Sequence, residues 1–266
     1  VTWDAFKRWG RDVDDISDAA AHSTVLLMQS APDTPDVFDF VAESAPVVLS
    51  SYALASQDAA MGYVRDAQRG AGLAPSLFEP VPAAITSVAL EPVLKWALTD
   101  VVFPLVADEV VPRLVQGTTR LVSNVGRETV QQSVGQIDGV YGRRVPRDNA
   151  CAWCRFMSAT QHWDGEWPDS AYHGNCRCRP IIMSPGWDIP DEVEGLWDDY
   201  EHQTLDAEQW ARKEQTRLDN ELWARASAAG GSLSAQKRRH GSLRRRELPT
   251  LQQLTLSRLR EKYGAR

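Results

Sequence analysis

Five side chains in one short stretch offer the clearest chemistry in this sequence. Cys151-Ala-Trp-Cys154 is followed by His173-Gly-Asn-Cys176-Arg-Cys178, and all four cysteines of the chain lie between positions 151 and 178. Zinc takes thiolate and imidazole ligands in a closed tetrahedron, and such a site holds a loop-rich segment together. The Cys-x-x-Cys spacing lets both thiolates of a tight turn face one ion. His173, Cys176 and Cys178 then compete for two remaining positions. His173 can act with Cys178 or with Cys176, and the spacing does not choose between them. Two disulfides are the rival reading, but they need an oxidising compartment. Nothing in the sequence implies one, so a reducing cytoplasm is expected.

A catalytic zinc keeps a position open for water and uses a carboxylate base. Asp164, Glu166 and Asp169 are near in sequence. They sit in a Trp-rich stretch with glycine and proline, and are expected to face solvent. Trp153, Trp163, Trp167 and Trp187 are expected to form a small core over the metal. A redox role for Cys151 and Cys154 lacks the strand-to-helix setting that such a pair uses. No phosphate-binding loop, His-Glu-x-x-His or Gly-x-Ser-x-Gly motif is present. No enzyme activity is therefore expected.

The elements that must position this segment are mainly helical. The chain has 266 residues, with 43% hydrophobic residues and a mean hydropathy of -0.37. No apolar run is long enough for a membrane span. Trp3, Phe6, Trp9, Val13 and Ile16 draw one face of a helix over residues 2–30. A second helical stretch covers 36–69, broken near Pro46, with Tyr52, Ala55, Ala59, Tyr63 and Ala67 on one face. Residues 83–103 are apolar and helical, with kinks expected at Pro92 and Pro104. A helix from about Pro112 to Gln136 carries Leu114, Thr118, Leu121 and Val125 on its stripe, with Pro112 in its first turn. Residues 140–145 alternate and are bounded by turns, as in a hairpin.

Beyond Pro190 a short helix around Trp197 precedes a long one starting near Asp206, which Gly230-Gly231 ends. Residues 232–247 are polar and basic and are predicted as a mobile linker. Thr250 and Gln253 have capping-box spacing before a last short helix. The fold class is thus mainly α. A helical N-terminal region leads to a small, loop-rich, zinc-stabilised α+β module, and a helical, basic C-terminal tail follows. The segments are 1–72 (acidic, helical), 73–138 (apolar, helical), 139–186 (the Cys/His module), 187–231 (acidic, helical) and 232–266 (basic).

Charge is unevenly distributed. The net charge is -7, yet residues 225–266 carry eleven bases against two acids. Lys237, Arg238, Arg239, Arg244, Arg245 and Arg246 are candidate contacts to DNA phosphates or an acidic partner. So are Arg143, Arg144, Arg147, Arg177 and Arg179 around the cysteines, because the arginine fork suits both targets. The alternative for the tail is pairing with the acidic segment before it.

Three runs together carry a family likeness: Arg143-Arg-Val-Pro146, Ala150-Cys-Ala-Trp-Cys-Arg155 and Tyr172-His-Gly-Asn-Cys-Arg-Cys178. They resemble the signature of MuF-like minor capsid proteins of tailed bacteriophages, also called phage head morphogenesis proteins, in the short form of actinobacteriophages. The resemblance covers about residues 139–183. It implies a non-enzymatic protein of the virion interior near the portal vertex, made in the host cytoplasm. Its partners would be the portal protein, the major capsid or scaffolding protein, and packaged double-stranded DNA without sequence specificity. Cys151, Cys154, His173, Cys176 and Cys178 would be the family's cluster. Ser158-Ala-Thr-Gln-His-Trp163 stands where the family has a Gly-rich stretch. The alternative reading is a zinc-braced nucleic-acid-binding protein or nuclease.

Overall fold

The computed structural model describes residues 2–32, 36–73, 87–98, 107–146, 150–160, 162–163, 176, 178–184, 187 and 190–263. Among them the chain is mainly helical, with a three-stranded sheet. Contacts group it into two units, residues 1–145 with 162–189, and residues 146–161 with 190–266.

The first unit is built on α1 (Thr2–Ser30), α2 (Val37–Gly70), α3 (Ser87–Leu98) and α4 (Ala107–Val134). The aromatic periodicity of α1 has its expected effect: Phe6, Trp9 and Val13 are buried. Trp9 stacks on Tyr63 of α2 at 4.9 Å and 5°. Leu27, Val41, Leu49, Leu90, Leu94, Leu114 and Val122 fill the main apolar core. The buried line of α2 runs through Leu49, Ala53, Ala60, Val64 and Ala67, while Ala55 and Ala59 are half-buried. The helix passes Pro46 unbroken. Val41 and Ala45 before it and Leu49 and Ala53 after it belong to the same core, so packing outweighs one lost backbone bond. Likewise α4 starts before Pro112, which lies inside it.

Small residues let these helices approach closely. A Cβ on Gly117 would lie 2.1 Å from Val93 Cγ1, and one on Gly126 would lie 2.7 Å from Ser56 Oγ. Buried hydroxyl pairs, Ser17–Ser123 at 2.8 Å and Thr24–Thr118 at 3.0 Å, join α1 to α4. Gly117→Ala is expected to destabilise the chain. Overpacking costs about 1–3 kcal/mol, and the gain in helix propensity returns only about 1 kcal/mol. Adding Val93→Ala removes the clash, so urea denaturation should find the pair less damaging than the sum of its single changes.

The sheet has the order β2-β1-β3, antiparallel, with β1 Tyr141–Val145, β2 His162–Trp163 and β3 Arg179–Met183. Register runs from Tyr141↔Met183 to Val145↔Arg179. The Tyr63 hydroxyl accepts the Ile182 amide proton at 2.8 Å, which ties β3 to α2. Burial pushes the Tyr63 phenol well above its usual range, so the group stays protonated.

The second unit comprises α5 (Ala152–Thr160), α6 (Asp191–Ala228), α7 (Leu233–Glu247) and α8 (Leu251–Tyr263). Ala152, Ala207 and Leu259 form its small core, with Phe156, Leu256 and Tyr263 against it. The acidic segment forms one continuous helix, α6, where the sequence suggests two. Gly230 and Gly231 end it with φ of 70° and 95°, values that glycine adopts without strain. The capping box of α8 forms in both directions: Gln253 N–H donates to Thr250 Oγ1 at 3.2 Å, and Thr250 N–H donates to Gln253 Oε1 at 2.8 Å.

Residues 233–247 correct the predicted linker, because they form helix α7. Ser232 caps it by accepting the Ala235 N–H at 3.3 Å. Its Arg, Lys, Leu, Ala and Gln content favours helix. With no buried residue, it has no apolar stripe for a periodicity reading to detect.

Candidate metal centre

Cys151 and Cys178 each lie at the edge of a regular element. Cys151 is half-buried just before α5, and its sulfur accepts the Cys154 N–H at 3.4 Å. The next turn is fixed by Arg155, whose Nε donates to the Ala150 carbonyl at 2.9 Å and whose guanidinium reaches Gln203 Oε1 at 2.8 Å. At the other end, Cys178 directly precedes β3. Arg127 of α4 is 4% exposed, donates to Asn124 Oδ1 at 2.9 Å and also donates to the Cys176 carbonyl.

Cys154 is buried in the second unit; Cys176 and Cys178 are buried in the first, with their sulfurs within 4.8 Å of one another. None of the four cysteines is in a disulfide. Zinc–sulfur bonds of about 2.3 Å in a tetrahedron set sulfurs about 3.8 Å apart, and the Cys176–Cys178 pair is near that spacing. Buried thiols are soft donors that could hold a metal. His173 lies outside the described residues, as do Asp164, Glu166, Trp167 and Asp169. Of the expected tryptophan core, Trp153 is half-buried with its ring 6.2 Å from that of Phe156.

The arginines separate into distinct groups. Arg144 is fully buried at 0% exposure, which corrects its assignment as a partner contact. It sits in the middle strand of the sheet, where alternation turns one face inward. Arg143 is half-buried, and Arg147 and Arg177 lie outside the described residues. Arg179 pairs with Asp14 at 2.6 Å, its side chain 15% exposed. It fills the space that Gly10 leaves, since a Cβ there would lie 2.5 Å from its guanidinium. Arg179 thus braces β3 against α1. Lys237, Arg238, Arg244, Arg245 and Arg246 are exposed on α7. Arg239 is half-buried and donates to the Ala229 and Gly230 carbonyls, so it caps the end of α6. His240–Asp219 at 3.0 Å and Arg225–Glu247 at 2.6 Å also join α7 to α6.

Sequence reasoning missed Arg127. One arginine on a long amphipathic helix carries no signal of burial, and its target is a backbone carbonyl far along the chain.

A family model described as VG15 protein matches residues 1–203. The chain belongs to this viral protein family. No curated protein and no solved structure matches it significantly. Among the described residues, no helix is long and apolar enough to cross a membrane.

Proposed function

We propose that this chain is a non-enzymatic, MuF-like minor capsid protein of a tailed phage, carried inside the head near the portal vertex. The observation that carries the reading is the family match over 1–203. It takes in both the helical unit and the cysteine–histidine signature, and the family is viral. In this reading the first unit docks on the portal, with capsid or scaffolding protein as further partners. Leu26, Val47, Leu54 and Trp96, on α1, α2 and α3, are large apolar side chains left 51%, 78%, 48% and 48% exposed, and they suit such contacts.

One zinc serves as a structural staple. Its four ligands come from Cys151, Cys154, His173, Cys176 and Cys178. A closed site of this kind offers no open position to substrate. The basic α7 contacts packaged DNA.

Quantitative mass spectrometry of purified heads tests the assignment. The reading expects a fixed number of copies of this chain per portal ring. Absence from heads, with expression in infected cells verified, would favour a zinc-braced nucleic-acid-binding protein or nuclease instead.

A further inference from the structure

We infer that one face of α7 is a phosphodiester-binding surface, a cleft of small residues between two cationic rows that takes the backbone of duplex DNA. This deepens the proposed DNA contact by naming the residues and the ligand chemistry. The helix lies beyond the part of the chain that the family model matches, which ends at 203.

The argument starts from helical spacing. Residues seven apart lie nearly above one another, about 10.5 Å along the axis. Lys237 and Arg244 therefore form one row, and Arg238 and Arg245 form a second row beside it. All four are exposed. Between the rows stand Ser234 and Gly241, also seven apart. A Cβ built on Gly241 meets nothing within 4 Å, so the middle of this face is open. Four cations flanking small residues let a polyanionic strand lie close to the helix axis.

The opposite face is already committed. His240 meets Asp219 at 3.0 Å and the Trp223 ring at 5.3 Å, while Arg239 caps α6. Arg244 touches Asp219 at 3.3 Å yet stays 58% exposed, at the border of the two faces. The acids of α6 thus neutralise one side of α7 and fix its orientation. The helix buries no residue, so its outer charges serve no core.

The face favours nucleic acid over an acidic protein. Protein interfaces centre on aromatic and apolar side chains. Here the only large apolar residue is Leu233, at the end of the helix. Phosphate contacts need only guanidinium and ammonium groups, and they carry no sequence preference.

The test uses the full chain with a fluorescent random-sequence duplex, followed by anisotropy across a salt series. Four phosphate contacts predict a slope of log affinity on log salt of about -3.6, or about a twelve-fold loss on doubling the salt. Arg238→Gln with Arg245→Gln should make that slope shallower by about 1.8. Gly241→Glu should weaken binding further, because it sets a carboxylate between the rows. These changes touch no buried residue, and an unchanged melting temperature verifies the fold. A slope that the double variant leaves unchanged overturns the inference. Labelled poly-glutamate binding as tightly as the duplex also overturns it and assigns the face to an acidic protein. Incorporation into heads is a separate readout, so failure here leaves the head assignment standing.

Discussion

Replacing Cys154 or Cys178 by serine is expected to abolish zinc binding and to destabilise the fold by several kcal/mol. Cys154, Cys176 and Cys178 are all buried. Thiolates gathered around one point repel, and the zinc cation compensates their charge. A structural zinc contributes about 10–16 kcal/mol of folding free energy in zinc-finger peptides. That is comparable with the whole reserve of a folded domain, about 5–15 kcal/mol. Elemental analysis of purified protein should find one zinc per chain, and neither serine variant should retain it. A strong chelator should lower the melting temperature by about 10 °C or more, as a loss of several kcal/mol does in a chain of this size. Metal-free protein with an unchanged melting temperature would contradict the site. Cys151→Ser removes one candidate for the fourth position. Retention of zinc by that variant assigns the fourth position to His173, and loss assigns it to Cys151.

Trp9→Ala should cause the largest loss among the apolar positions, about 3–5 kcal/mol in urea denaturation. The ring is 1% exposed and stacks on Tyr63, with Phe6 at 6.0 Å. Tyr63 in turn holds the Ile182 amide of β3. Removing the indole should therefore also speed hydrogen exchange at Ile182, well away from the substitution. A loss under about 1 kcal/mol, the cost of a typical surface-like change, would mean that this aromatic cluster does not support the unit.

The sequence carried this architecture unevenly, for identifiable reasons. The face of α1 was readable because Phe6, Trp9 and Val13 are large and periodic, and the start of α8 because Thr250 and Gln253 are a local motif. The glycine pair ending α6 was equally plain. On α2 the alanines are too frequent to mark one face, so the stripe through Ala53, Ala60 and Ala67 was hidden beside Ala55 and Ala59. Helix α7 was invisible because its stability comes from propensity, the Ser232 cap and ion pairs with α6, none of which leaves an apolar period. The metal ligands were legible as types and spacing. Which of the five candidates hold the ion depends on chain geometry that spacing does not encode. The burial of Arg144 and Arg127 was illegible too, since arginine is ordinarily a surface residue.

Asymmetric cryo-electron microscopy of purified heads tests the central claim most directly. The account predicts density for this chain inside the head at the portal vertex, with the helices α1 to α4 traceable against the portal. Heads that contain the chain elsewhere on the shell, or lack it at every vertex, would contradict the account.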